Sequence, residues 1–149
     1  MEGEQEKRES NEKFDVGVFA FIQVGGRILL VRDATREMKW TMPGGGLGFR
    51  ELAPDALIRE LEEEAQIKVK VTRLVGIFSQ QKTPGVTILF DAEIVEGTPT
   101  PDGKETSKTK FFSVDEIEAM EKDVKPAQLG MIRQRLMWDG TQPIFNYFS

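Results

Sequence analysis

Acidic side chains are crowded into one short segment of the chain, directly after a glycine-rich turn: Glu60, Glu62, Glu63 and Glu64. Clustered like charges repel each other and cost stability unless a positive partner is present. The surrounding residues are strong helix formers, so we predict a helix over about residues 54–65. On that helix three of the acids share one face beside the apolar stripe, and Glu62 points elsewhere. This pattern is typical of a site for a hard cation, although an acidic run also occurs as a solvated helix face.

The composition excludes several kinds of chemistry. The 149 residues include no cysteine and no histidine. Disulfides, thiolate nucleophiles, histidine bases and zinc–sulfur sites are therefore absent. Any metal must be held by oxygen atoms, which favours Mg²⁺, Mn²⁺ or Ca²⁺. The net charge of −5 argues against duplex nucleic acid as a partner.

The apolar pattern predicts an α/β fold in which helices cover a mixed sheet. A Gly-Gly hairpin should join the first two strands, and a capping box at Ser113 should begin a short helix. A further amphipathic helix is predicted over Pro126–Trp138, with Gly140 as its stop. The intervening segments 32–39, 40–48 and 96–108 read as loops. Strands are predicted over residues 14–24, 27–31, 69–78, 86–95 and 109–112.

The N-terminal segment differs in composition from the rest of the chain. The first 13 residues are highly charged, which predicts a mobile tail, and residues 14–149 fit one domain. The tail lacks the apolar core of a signal peptide, and no apolar run approaches the ~20 residues that span a bilayer. We therefore expect a cytoplasmic protein that has no membrane partner.

The acidic segment resembles the motif of a known family, the Nudix hydrolases: G-x5-E-x7-R-E-U-x-E-E-x-G-U, where U is aliphatic. One position departs from it, because Gln66 stands where the family usually has glycine. That glycine ends the helix in a left-handed conformation, so we expect glutamine to cost about 1 kcal/mol or to shift the helix end. The matching positions are Gly45, Glu51, Arg59, Glu60, Leu61, Glu63, Glu64 and Ile67.

The resemblance implies a Nudix-type α/β/α sandwich and a hydrolase that uses Mg²⁺ or Mn²⁺. Its substrate would be a small phosphorylated nucleotide, a nucleoside diphosphate linked to another group, cleaved at the pyrophosphate. A nucleoside triphosphate and an ADP-ribose-like compound remain open. Pro84 lies one position beyond the place of a proline associated with ADP-ribose cleavage, but its Thr-Pro-Gly turn explains it equally well. Two alternatives are a Nudix-like module that senses a nucleotide without cleaving it and an acidic domain without a site.

The resemblance also implies roles for the residues of the motif. Glu60 and Glu64 would be metal ligands, and Glu63 would be either a ligand or the base that activates water. The carbonyl group of Gly44 would join the ligands, and Arg59 would orient the acids.

Two further acids have open roles. Glu51 either binds metal through water or holds the glycine loop. Glu105, in the loop PDGKETSK, is the best candidate for an additional acid in the site, but it is equally consistent with an exposed loop position.

Other residues are candidates for contact with substrate. The loop at Gly45 allows the backbone to approach a ligand closely. Arg32 would contact a phosphate or be an exposed charge at a strand end, and Trp40 would stack on a base or pack against the core. A group of aromatics either closes the core or meets a second subunit in a homodimer: Phe145, Tyr147 and Phe148.

Overall fold

The computed structural model of the protein describes residues 15–34, 37–80 and 85–148. The predicted tail of residues 1–13 and the turn proline Pro84 lie outside the described residues. The side chains of Tyr147 and Phe148 lie outside them as well. The single domain over residues 14–149 stays a prediction.

Among the described residues, nine strands form two sheets: β1 Asp15–Phe21, β2 Gln23–Val24, β3 Arg27–Asp33, β4 Trp40–Thr41, β5 Gly44–Gly46, β6 Lys68–Gln80, β7 Gly85–Glu96, β8 Thr106–Phe112 and β9 Ile144–Phe148. Strands β5, β1, β7, β6 and β9 lie side by side in the first sheet, in that order. This sheet is mixed, since β1 is parallel to β7 and β9 is parallel to β6, whereas the other pairs are antiparallel. In the second sheet β3 pairs with β2 and β4 along one edge and with β8 along the other.

In the part of the chain that the structure describes, three α-helices cover the sheets: α1 (Ala53–Ala65), α2 (Val114–Ala119) and α3 (Pro126–Met137). A 3-10 turn, Glu121–Asp123, lies between the last two. The buried face of α1 packs in one hydrophobic cluster with residues of β1 and β3. The buried apolar residues of α2 and α3 belong to a second cluster, which also contains residues of β1, β3 and β6. Helices therefore lie on both sides of the strands, and the predicted α/β/α arrangement is confirmed.

The first predicted strand, residues 14–24, is divided in the structure. It breaks at Ile22, where the chain passes from the first sheet to the second and the Ile22 carbonyl accepts a hydrogen bond from the N–H of Leu29 at 3.0 Å. The predicted hairpin is confirmed. Gly25 and Gly26 have φ of 57° and 76°, the left-handed values that a tight hairpin requires.

Three strands were missed in the sequence. The predicted loop 40–48 contains β4 and β5, and the C-terminal aromatics belong to β9. Glycine is rare in strands, but β5 forms because the backbone of its three glycines pairs with β1. Strand β8 also begins at Thr106, three positions before the predicted start.

Two of the helix ends follow the expected chemistry, whereas α3 ends at Met137, one residue before the predicted end, with Trp138 and not Gly140 at its cap. The capping box is confirmed, because Ser113 accepts a bond from the N–H of Glu116 and the Glu116 carboxylate accepts one from the N–H of Ser113. Helix α1 ends where predicted, and Gln66 takes the left-handed conformation at φ 55°. Its Nε2 donates to the carbonyl of Pro101 at 3.3 Å, which offsets part of the cost. No described helix combines the length and apolar composition needed to cross a membrane.

Candidate metal and active site

The glycine loop lies directly against helix α1, and two glycines allow this approach. The N–H of Gly44 donates to Oε1 of Glu64 at 3.0 Å. A Cβ atom at Gly44 would overlap the carbonyl of Val18, and one at Gly45 would overlap the carboxylate of Glu60. A side chain is therefore excluded at Gly44, and one at Gly45 would displace the Glu60 carboxylate. With glycine at both positions, the loop backbone can contact the acids of the helix.

Glu64 is a buried acid among other acids. It is 7% exposed, and burial raises its pKa to about 8. The hydrogen bond from Gly44 lowers the pKa, whereas the charges of Glu60, Glu105 and Asp102 raise it. A carboxylate in this position is costly to ionise unless a cation joins it.

Three acids converge on one point: Glu60, Glu64 and Glu105 each offer a carboxylate oxygen, and these oxygens lie within 4.8 Å of one another. We call this group the acid cluster. Burial raises the pKa of Glu60 as well, and its bond to Arg59 reduces that effect. Hard dications prefer carboxylate oxygens, so the donor set fits Mg²⁺ or a similar ion.

An Asp-Gly turn brings Glu105 to the acid cluster. Oδ1 of Asp102 accepts three backbone bonds, from Lys104 at 2.8 Å, Glu105 at 3.0 Å and Thr106 at 2.9 Å. Burial raises the pKa of Asp102, but the three bonds lower it by more, so the pKa lies below its ordinary value. The same loop is fastened to the end of α1, because the N–H of Thr100 donates to the carbonyl of Ala65 at 2.9 Å. The role of Asp102 was not recognised in the sequence, although Asp-Gly is a turn signal.

Arg59 holds the loop and the helix together. It makes five hydrogen bonds, one for each N–H of the guanidinium: two to Glu51 and one each to Glu60, Glu63 and the carbonyl of Gly46, at 2.8–3.2 Å. Glu51 also accepts the N–H of Gly48 at 2.9 Å, and the bond from Arg59 lowers its pKa. This geometry matches the second of the two predicted roles for Glu51, that of holding the loop.

Glu63 lies outside the acid cluster, although the sequence predicts it on the same helix face as Glu60 and Glu64. Its side chain is 59% exposed and lies 3.2 Å from Nη1 of Arg59, the predicted i,i+4 pair. In the acid cluster its place is taken by Glu105, which the loop supplies.

Two predicted substrate contacts lie elsewhere. Nε of Arg32 donates to Oγ of Ser107 at 3.1 Å, within the second sheet. Trp40 packs edge-on against Phe112 with 4.9 Å between ring centroids, and it lines a separate cavity of about 450 Å³ beside Lys108. Neither residue joins the acid cluster, and their contacts with substrate stay predictions.

A cavity of about 380 Å³ opens beside the acid cluster. Glu64 and Glu105 lie on its wall together with Asp33, Lys125 and Gln128. Asp33 and Lys125 form an ion pair at 3.6 Å. Gln128 was not singled out in the sequence, because a lone glutamine in a helix belongs to no recognisable motif. The cluster and the cavity together provide a metal-binding edge and room for an organic group.

The comparison with protein families matches a NUDIX domain to residues 13–134, most of the chain. The chain belongs to the NUDIX family. The acid cluster therefore lies in the family's motif, apart from Glu105, and the predicted family is confirmed.

Curated NUDIX relatives match part of the chain. Human diphosphoinositol polyphosphate phosphohydrolase 3-alpha is 40% identical over 73 residues, which are 46% of this chain and 44% of the relative. The chain thus spans less than half the length of the curated relatives that it matches first.

Solved NUDIX structures match most of the fold. A NUDIX hydrolase from Nitrosomonas europaea has a TM-score of 0.78 at 23% identity, over 92% of this chain and 80% of that one. An ADP-ribose pyrophosphatase from Streptococcus suis has a TM-score of 0.70 at 22% identity, over 91% of this chain and 100% of that one. These similarities show that the fold is of the NUDIX type.

Proposed function

We propose that the chain is a metal-dependent hydrolase that cleaves the pyrophosphate link of a nucleoside diphosphate joined to another group. One observation carries the proposal: Glu64 is 7% exposed, yet its neighbours at the acid cluster are Glu60 and Glu105. Such an arrangement is unfavourable for the chain by itself and becomes favourable when a dication is bound. Membership of the NUDIX family supports the same conclusion.

The acid cluster would hold Mg²⁺ or Mn²⁺ through Glu60, Glu64 and Glu105. When bound, the ion neutralises phosphate charge and makes a coordinated water more acidic. The N–H of Gly44 fixes the Glu64 carboxylate, and Arg59 fixes Glu60 at 3.0 Å, so the ligands are oriented before the ion arrives. The carbonyl of Gly44 remains a further candidate ligand.

Glu63 is the proposed proton acceptor for the attacking water. It lies outside the acid cluster, its side chain is half-exposed, and Arg59 holds it on the same helix turn as the ligands. A carboxylate that is open to solvent and close to the ions can accept a proton without giving up a metal contact. The negative charge of this region is then compatible with an anionic substrate, because the ions reverse its sign.

The substrate is proposed as a nucleoside triphosphate or an ADP-ribose-like compound. The names of two similar proteins give a diphosphoinositol polyphosphate as the substrate of one and ADP-ribose as the substrate of the other. All contain a phosphoric anhydride bond. This shared bond is the one that the chain would hydrolyse at the acid cluster.

A substrate panel tests the proposal. The purified chain is incubated with nucleoside triphosphates, ADP-ribose and diphosphoinositol polyphosphate, with Mg²⁺ and Mn²⁺ in parallel, and products are resolved by chromatography. Release of a nucleoside monophosphate is the expected result, and Glu63→Gln should lower its rate by roughly a hundredfold or more. Glu62→Gln is the matched control, because this exposed acid lies next to Glu63 and outside the cluster.

The alternative outcomes are distinct. Tight nucleotide binding without product across the panel would support a sensing module instead. Equal rates in Glu63→Gln and Glu62→Gln would remove Glu63 from the reaction.

A further inference from the structure

A buried glutamine on helix α3 gives the cavity beside the acid cluster a hydrogen-bond donor of fixed direction. Gln128 is 5% exposed and lies on the cavity wall. Its Oε1 accepts the backbone N–H of Met42 at 3.0 Å, so one end of the carboxamide is committed to the chain.

The bond to Met42 prevents the carboxamide from turning over. If the group flipped, its NH₂ would face the N–H of Met42, and two buried donors would be left without acceptors. The oxygen therefore points to Met42 and Nε2 points away from it. Such an orientation is assigned from the hydrogen-bond network, and here the network permits one choice.

Nε2 of Gln128 is open to the cavity. Among the described residues, no acceptor is bonded to it. The described part of the chain also contains no fully buried side-chain nitrogen or oxygen that lacks a partner. Nε2 has no partner, and no partnerless side-chain nitrogen of the described residues is fully buried, so Nε2 must be accessible. The accessible space next to Gln128 is the cavity. The donor is thus available to a ligand.

The cavity wall near Gln128 favours an uncharged group over a further phosphate. The positive charge of Lys125 is paired with Asp33 at 3.6 Å, and the other charged groups among the described residues of the wall are Glu64 and Glu105. A phosphate placed there would meet more negative than positive charge. A neutral heterocycle would meet a polar donor without that repulsion.

We propose that Gln128 determines which nucleobase the enzyme accepts, by donating Nε2–H to a base carbonyl oxygen. This inference rests on the proposed function, since the pyrophosphate held at the acid cluster would place the attached nucleoside in the cavity. A carbonyl at C6 of a purine or C4 of a pyrimidine accepts this bond. An amino group at the same place would set donor against donor, which a buried polar site rejects strongly.

The substitution Gln128→Glu tests the proposal with little change in shape. Glutamate keeps an oxygen for the N–H of Met42 and replaces the cavity-facing NH₂ with an acceptor. Gln134→Glu is the matched control, because Gln134 lies on the same helix and its Oε1 accepts a bond from Asn146 at 2.9 Å. The measurement is kcat/KM for the triphosphates and diphosphate-riboses of inosine and adenosine, whose bases carry oxygen or an amino group at C6.

The expected result is that the wild type and Gln134→Glu prefer the inosine compounds at least tenfold, and that Gln128→Glu reduces this ratio about tenfold or more. A ratio that is the same in wild type and Gln128→Glu overturns the proposal. So does a wild-type preference for the adenosine compounds.

A binding measurement decides the proposal independently of turnover and of how the variant folds. Inosine and adenosine monophosphates are titrated calorimetrically into the wild type with Mg²⁺ present. Tighter binding of inosine monophosphate supports the role of Gln128, and equal affinity contradicts it. If no compound in the panel is hydrolysed, the proposed function fails, but this titration still reports on Gln128.

Discussion

Two carboxylates, Glu64 and Asp91, are buried to nearly the same degree, at 7% and 8% exposure, but their surroundings carry opposite charge. Asp91 lies between two arginines: Nε of Arg135 is 2.7 Å from Oδ1, and Nε of Arg73 is 2.8 Å from Oδ2. Glu64 has a backbone N–H and two other acids. One buried charge is neutralised within the chain, and the other is not.

The difference shows how the role of a buried acid can be read from its neighbours. The arginines at Asp91 also lie over aromatic rings, Arg73 over Trp138 at 4.5 Å and Arg135 over Phe21 at 4.6 Å. These contacts tie α3 to the first sheet, so Asp91 contributes to the fold. Glu64 makes no ion pair with the described residues, so it does not stabilise the fold in this way unless a cation binds. Its position is therefore explained by cation binding.

The substitution Glu64→Gln should have the largest effect of those that distinguish Glu64 from Asp91. It should lower turnover roughly a thousandfold, because one ligand of the proposed ion is lost. It should leave the metal-free protein as stable as the wild type at about pH 6, where Glu64 is protonated, and more stable above about pH 8, where the substitution removes like-charge repulsion. Steady-state kinetics and urea unfolding without metal measure the two effects. A variant that loses stability but keeps its turnover would reverse the assignment.

Asp91→Asn should show the opposite pattern. Removing the charge leaves Arg135 partly buried without its ion pair, and the free energy of unfolding should fall by about 3 kcal/mol. Turnover of the folded fraction should stay close to that of the wild type. Glu93→Gln, at an exposed position on the same strand, serves as the control for urea unfolding. Equal unfolding midpoints in the two variants would show that the Asp91 cluster does not stabilise the fold.

The pH dependence of metal-free stability should follow Glu64. Its pKa is about 8 when folded, above the ordinary 4.5, because of burial and the facing acids Glu60, Glu105 and Asp102. The folded state therefore holds a proton that the unfolded state releases, and stability should fall as pH rises from about 4.5 to about 8. Mg²⁺ requires the ionised acid, so it should raise Tm more at about pH 8 than at about pH 6. An increase in Tm that is equal at both pH values would contradict this link.

The smallest expected effect concerns the turn that positions Glu105. Asp102→Ala removes the acceptor of three backbone bonds, so Glu105 should be less well placed and Mg²⁺ affinity should fall about tenfold. Calorimetric titration with Mg²⁺ measures the change. Lys104→Ala, in the same turn, should keep the wild-type affinity. If both variants bind Mg²⁺ equally well, Asp102 has no role in positioning the acid.

The sequence was most informative where chemistry is local. The spacing from Gly45 to Ile67 predicted helix α1, the family and the pairing of Arg59 with Glu63, because these depend on helix periodicity and motif positions. Glu105 was singled out from its loop context, and it lies in the acid cluster. That loop is shaped by contacts close in sequence, above all those of Asp102.

The parts that were missed depend on partners distant in the chain. Strand β9 forms because Ile144 and its neighbours pair with β6, nearly seventy residues earlier in the chain. The sequence of this segment has no periodic pattern that predicts a strand. Strand β5 is three glycines, which propensity would assign to a loop. Gln128 and Met42 are 86 positions apart, so the fixed carboxamide becomes visible only when the fold brings them together.

Arg59 has a consequence for how an anionic ligand approaches. All five of its hydrogens are already engaged with acceptors of the loop and the helix. The proposed nucleotide substrate would therefore find no spare donor on this arginine, although the arginine lies beside the proposed position of the phosphates. The arginine acts as internal scaffolding, and lysine, with three hydrogens on a single nitrogen, could not span the same set of acceptors. We therefore expect a polyphosphate with bound dications to bind beside the acid cluster more tightly than a metal-free polyphosphate.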